Sequence, residues 1–143
     1  MGSRRKAREC ALQMLFQWDI THDLIDQIAV TFWDGHDGKD GQEEAEETRT
    51  FAEALASGTV AHVEKIDVLI ARHAENWRLD RMAVVDRNLL RLATYEFLYD
   101  AETPKTVVIN EAIEIARRFS AQESPQFING ILDSIRKEVE NPE

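Results

Sequence analysis

Between Val107 and Asp133 the chain reads VVINEAIEIARRFSAQESPQFINGILD, and this stretch admits few folds. Ile109, Ala112, Ile113, Ala116 and Phe119 recur at helical spacing. A polar elbow follows, and Phe127, Ile128, Ile131, Leu132 and Ile135 then repeat the pattern. Ser124 suits the N-cap of the second helix, and Pro125 fits its first position, where a missing N–H is no loss. The spacing predicts a helical hairpin whose apolar face must be covered by further helices. Asn110 and Glu111 are expected to cap and orient the first arm. Gly130 is expected to permit a close approach, with Asn129 satisfying backbone beside it.

The rest of the chain offers that cover. Of 143 residues only six are Gly and three Pro, and Gly35, Gly38 and Gly41 sit in one short segment. Elsewhere the sequence is rich in Ala, Leu, Glu and Arg, so an all-α fold is predicted. A first helix is expected over Arg4–Asp19, with Ala7, Ala11, Met14, Leu15 and Trp18 inward. A second, capped by Thr21, turns Leu24, Ile25, Ile28, Ala29 and Phe32 inward. A polar loop is expected over 34–42, then a helix from about Glu43 to His62 with Phe51, Leu55 and Gly58 on one face. Gly58 inside a helix, at a cost of about 1 kcal/mol, points to a close crossing. A fourth helix runs from about Lys65 to Asn76 through Ile66, Leu69, Ile70 and His73. The fifth, about Asp80 to Tyr99, is apolar around much of its circumference (Val84, Val85, Leu89, Leu92, Ala93, Phe97) and is therefore expected at the centre. Arg91 and Glu96, flanked by apolar residues, are expected to form internal ion pairs. With the hairpin, that makes seven helices.

Charge is distributed unevenly. Residues 34–47 hold Asp34, Asp37, Asp40, Glu43, Glu44, Glu46 and Glu47 against Lys39, a local −6 out of a total of −10. Arg4, Arg5, Lys6 and Arg8 put four cations into five positions at the other extreme. A basic patch attracts phosphate over a Debye length of about 8 Å whatever the far side of the protein carries. The single cysteine, Cys10, leaves no intramolecular disulfide. No apolar run reaches the roughly 18 residues of a membrane span, and a cytoplasmic protein is expected. His22, His36, His62 and His73 are scattered without metal-ligand spacing, and no nucleophile elbow or phosphate loop is present, so neither a metal, a cofactor nor an enzyme is expected.

Three blocks of sequence, in order, carry a family resemblance. They are Arg4-Arg5-Lys6-Ala7-Arg8-Glu9-Cys10-Ala11-Leu12-Gln13; Trp77-Arg78-Leu79-Asp80-Arg81 continuing through Val85-Asp86-Arg87-Asn88-Leu89-Leu90-Arg91-Leu92-Ala93 to Tyr95-Glu96; and the hairpin itself. Together they resemble the NusB family of bacterial transcription antitermination factors. The resemblance implies a seven-helix fold of two helical subdomains, here residues 1–76, with the basic N-terminus, and 77–143. It further implies binding to the boxA element of ribosomal RNA leader transcripts together with NusE, a small-subunit ribosomal protein, within the transcription elongation complex. Family members include monomers and dimers, so a homodimer is compatible with it.

Carried onto this chain, the resemblance assigns RNA contact to Arg4, Arg5, Lys6 and Arg8 and, at the elbow, to Glu123, Ser124 and Phe127. It places the NusE surface near Asp86 and Arg87. Arginine suits the role because its fork bonds phosphate oxygens and its plane stacks on unpaired bases. Two positions depart from the family pattern: Ser120 stands where Gly is usual, and Gln126 where a base often precedes the Phe. The alternatives are a helical docking module that has lost its RNA face, which Gln126 and the acidic total favour, and the detached RNA-binding domain of a ribosomal RNA methyltransferase.

Overall fold

The computed structural model describes residues 2–40, 45–75 and 77–141. It contains α1 (Gly2–Thr21), α2 (Ile25–Asp40), α3 (Glu46–Ala61), α4 (Val63–His73), a 3-10 turn (Leu79–Arg81), α5 (Val84–Tyr99), α6 (Lys105–Phe119) and α7 (Ser124–Glu140), with no strand among the described residues. The all-α, seven-helix expectation holds. The chain divides into two compact units, Met1–Ala61 and His62–Glu143. Residues 62–75, which the expected boundary after residue 76 groups with the N-terminal half, fall in the second unit, where α4 packs on α5 and α7.

In the first unit α1 packs against α3 and α2. Ala7, Cys10, Ala11, Met14 and Leu15 of α1 are buried, with Ile28, Ala29 and Trp33 of α2 and Ala52, Leu55 and Ala56 of α3. Trp33 Nε1 donates to Glu53 Oε2 at 2.6 Å, and the Arg49 guanidinium lies 5.0 Å from the Trp33 ring, so two side chains of α3 hold one indole of α2. Thr21 closes α1 instead of capping α2: His22 takes a left-handed φ of 63°, its N–H bonds Trp18 O at 2.8 Å, and the Asp23 N–H bonds Thr21 Oγ1. That leaves Leu24 before α2 and exposed. The stretch expected as a loop from Asp34 is helical as far as Asp40. Its glycines cost about 1 kcal/mol each, but the His36 ring stacks on Phe32 one turn back at 5.3 Å and meets Trp33 edge-on. Residues 41–44 of the acidic segment, including the expected helix start at Glu43, lie outside the described residues.

The second unit is built around α5, which packs on α6, α7 and α4. Leu89, Leu90, Leu92, Ala93 and Phe97 of α5 are buried with Ile66, Leu69 and Ile70 of α4 and Ile128, Ile131, Leu132 and Ile135 of α7. On α6 the buried stripe is Val108, Ile109, Ala112, Ile115 and Ala116. Ile113 is half-buried and Phe119 exposed, so the true stripe lies slightly to one side of the one read from spacing. Arg91, 8% exposed, donates to both carboxylate oxygens of Asp67 (2.8 and 2.9 Å) and to Asn88 Oδ1. That is the internal ion pair expected of Arg91. His73 of α4 meets Ser134 Oγ through Nδ1 (2.6 Å) and Glu138 Oε1 through Nε2 (2.5 Å), joining α4 to α7.

Three details differ from expectation. The fifth helix starts at Val84, because Leu79–Arg81 is a separate 3-10 turn whose carbonyl neighbourhood is tied down by Arg87, donating to Leu79 O and Met82 O. Asn110 sits exposed within α6, and the cap position belongs to Pro104, after an Asp100 turn that accepts from the Glu102 and Thr103 N–H groups. Gly130 and Asn129 are exposed, and a Cβ on Gly130 would meet nothing within 4 Å, so no close approach requires that glycine.

Candidate nucleic-acid interface

The predicted RNA residues form two groups, one in each unit. Arg4, Arg5, Lys6 and Arg8 lie in the opening turns of α1. This is where the free N–H groups and the positive end of the helix dipole already favour anions. Arg4 and Arg5 are exposed and Lys6 is half-buried. Arg8 is not a surface base: it is 5% exposed and its guanidinium lies 5.8 Å from the Phe51 ring. Arg4 Cζ sits 3.9 Å over the centroid of that same ring. Three of the four cations are therefore within reach of a ligand, and the fourth is an internal group of the α1–α3 packing.

The elbow between α6 and α7 is organised by a carboxylate that the sequence reading placed elsewhere. Asp86, in the first turn of α5, is 7% exposed. It accepts hydrogen bonds from the Ser120 hydroxyl and, at 2.9 Å, from the Ser124 hydroxyl, and the two hydroxyl oxygens lie 2.9 Å apart. Ser124 is consequently not the N-cap. It is the first residue of α7, buried, with Glu123 at the cap position and no side-chain capping bond. Ser120 occupies extended backbone (φ −126°, ψ −175°), which any residue adopts. Its departure from glycine costs no strain there and adds a donor to Asp86. Arg87 is half-buried and bound to backbone carbonyls. Neither Asp86 nor Arg87 presents a free charged head to a docking partner; both hold the ground beside the elbow in shape.

That ground is a cleft of about 430 Å³ lined by Trp77, Arg81, Met82, Asp86, Ser124, Gln126 and Phe127. Glu123 is exposed on its rim and Phe127 is half-buried. Trp77, 58% exposed, meets Phe127 edge-to-face with centroids 5.2 Å apart. An exposed indole beside a second aromatic at the start of α7 offers flat apolar faces. Among the described residues no group of three or more His, Cys, Asp or Glu side chains is placed to hold a metal ion.

The NusB family model matches residues 5–137. The chain belongs to the NusB family. It is similar to the transcription antitermination protein NusB of Koribacter versatilis (strain Ellin345), 52% identical over 139 residues, covering 97% of this chain and 92% of that protein. It is also similar to the protein of the same name from Solibacter usitatus (strain Ellin6076), 45% identical and covering 99% and 94%. Among solved structures, T. maritima NusB is 39% identical with a TM-score of 0.84, covering 94% of this chain and 91% of that one. A complex of the antitermination factors NusB and NusE with double-stranded RNA contains a chain of the same fold, 24% identical with a TM-score of 0.85, covering 96% and 98%. These relatives carry the name of an antitermination factor, not of an enzyme. No helix among the described residues is long and apolar enough to cross a membrane.

Two residues, one in each unit, are not singled out by the sequence as functional. Trp77 figures only at the head of the second block of family resemblance, although a Trp between Asn76 and Arg78, off any apolar stripe, is a signal for an exposed aromatic. Phe51 shares a helix face with Leu55 and Gly58 by spacing, and nothing in the sequence links it to Arg4 across 47 positions.

Proposed function

We propose that this chain is an RNA-binding transcription antitermination factor that recognises boxA of ribosomal RNA leader transcripts together with NusE, within the elongation complex. The observation that carries the reading is the family match across residues 5–137, which takes in the first helix from Arg5 onward and the elbow. Two features of the surface support it. Arg4 and Arg5, exposed at the start of α1, supply charge for phosphate. Trp77 and Phe127 beside the first turn of α7 supply stacking faces for unpaired bases. Single-stranded RNA is the target such a combination suits. A cytoplasmic location goes with this role.

In this reading Arg4, Arg5 and Lys6 make the phosphate contacts, Arg8 supports them from within, and Glu123, Ser124 and Phe127 form the elbow half of the site. Asp86 and Arg87 maintain the surface near which NusE docks. Filter binding with a boxA oligonucleotide, with and without NusE, tests it. The expected result is specific binding that NusE tightens, with RNA tightening NusE binding by the same factor because the coupling is reciprocal. Absence of RNA binding with NusE binding retained favours instead a protein-docking module, the reading that Gln126 and the net charge of −10 support. Sedimentation of the free protein decides whether it is a homodimer.

A further inference from the structure

We propose that Phe51 is a positioning residue for RNA binding: its ring holds the Arg4 guanidinium in place before RNA arrives. The inference rests on the RNA-binding reading above and adds to it a residue that makes no RNA contact of its own. Arg4 Cζ lies 3.9 Å over the ring centroid, well within the range of a cation–π contact. The ring belongs to α3 and is half-buried, so packing fixes it, and it has no polar atom of its own to satisfy. Arg4 by contrast is exposed and sits in the opening turns of α1, where a long side chain is otherwise free to wander.

The chemistry of the guanidinium makes this arrangement useful. The ring meets the centre of the cation, Cζ, while the N–H donors radiate outward from that centre in a plane. A phosphate or a base edge takes that fork without displacing the stack. Ordering a mobile arginine on binding costs rotamer entropy, and an arginine already ordered in the free protein avoids most of that cost. The ring also moderates a repulsion. Arg4 and Arg8 are one helical turn apart, an unfavourable spacing for like charges, and the Arg8 guanidinium lies 5.8 Å from the same electron-rich ring.

The test measures the affinity of the full chain for a boxA RNA oligonucleotide by fluorescence anisotropy, in the parent and in Phe51→Leu, Phe51→Tyr, Arg4→Ala and the Arg4→Ala/Phe51→Leu double variant. Phe51→Leu should bind about three- to fivefold more weakly, the equivalent of one exposed cation–π contact. Phe51→Tyr, which keeps the π face, should bind as the parent does. In the Arg4→Ala background Phe51→Leu should have no further effect. Independently of RNA, the Arg4 side-chain methylene protons should show an upfield ring-current shift by NMR in the parent and Phe51→Tyr, and lose it in Phe51→Leu. Phe51→Met replaces Phe51→Leu if circular dichroism shows that leucine does not hold the fold. Parental affinity in Phe51→Leu alongside weakened binding in Arg4→Ala overturns the proposal, and so does an equal loss in both backgrounds, which would mark Phe51 as structural. Unchanged affinity when Arg4, Arg5 and Lys6 are all replaced by Ala, with the ring-current shift present in the parent protein, overturns the RNA reading itself and leaves the Arg4–Phe51 contact as packing.

Discussion

The hydroxyl of Ser124, in the first turn of α7, donates a 2.9 Å hydrogen bond to the carboxylate of Asp86, in the first turn of α5. Ser120, at the end of α6, donates to the other oxygen of the same carboxylate. One buried charge thus joins three helix ends. Hydrogen bonds to a charged group contribute about 1.5–3 kcal/mol each, and orphaning a buried donor costs about 1–3. Asp86→Ala is expected to lower stability by about 2–3 kcal/mol and Ser124→Ala by about 1–2. Urea unfolding measures both, and an unchanged midpoint for Asp86→Ala would rule out the organising role. Asp86→Lys would place a cation against two donors and disturb the elbow, so a NusE defect in that variant would report the elbow's shape and not a docking contact.

The Arg91–Asp67 pair makes a second prediction. Arg91 is 8% exposed and its partner's side chain 28% exposed. Removing the carboxylate takes two acceptors from a buried guanidinium and leaves Asn88 Oδ1 in place. Asp67→Ala is therefore expected to cost about 3 kcal/mol, the lower end of the range for breaking a buried pair because Asp67 is partly solvated. Replacing both residues with Leu should cost less than Asp67→Ala alone. Denaturant unfolding of the two variants checks the order, and equal or reversed values count against an internal pair.

RNA binding is expected to weaken with salt. Each phosphate contact on a single strand contributes a slope of about −0.7 in log K against log salt, so three reachable cations contribute about −2. Replacing Arg4, Arg5 and Lys6 by Ala should flatten the slope by that amount and leave helicity unchanged. Arg8→Ala should behave differently, lowering stability more than slope, since Arg8 is buried. Titrations at several salt concentrations distinguish the two patterns.

Tyr95 predicts behaviour at alkaline pH. Burial, followed by its neighbours Tyr99, Asp100 and Glu96, raises its phenol above the ordinary value of 10.0. A group whose folded pKa is raised contributes stability that is fully present below the unfolded pKa and lost as pH rises through the folded one. Stability should therefore decline from about pH 10 upward, and Tyr95→Phe should remove part of that decline. Unfolding midpoints between about pH 9 and 11 measure it; identical alkaline curves for parent and variant would argue against the shift.

Most of the architecture was legible because the signals are local. Leu89, Leu92, Ile128, Ile131, Leu132 and Ile135 lie at helical spacing in breaker-poor sequence, and all are buried. What failed to read were relationships between residues far apart. The carboxyl of Asp86 looks like an exposed helix-start charge until Ser120 and Ser124 arrive from 34 and 38 residues away. Arg8 looks like its three basic neighbours until Phe51 is packed beside it. Ser124 satisfied every local rule for an N-cap and lost that role to a tertiary partner. Gly35 and Gly38 mark a break by propensity, yet the Phe32–His36 stack holds the helix across the first of them.

The packing of α1 on α2 and α3 involves only residues that precede His62. During synthesis, that half of the core is complete in sequence as soon as about sixty residues have cleared the ribosome, and domains form in that N-to-C order. The Arg4–Phe51 stack needs nothing later than α3. The elbow, by contrast, waits for Ser124, well after α3 has emerged, because Asp86 has no hydroxyl to receive until Ser120 and the start of α7 exist. A nascent chain would thus acquire its cationic helix first and its aromatic cleft later. Pulse proteolysis of stalled chains of increasing length should show these two stages as separate gains in protection.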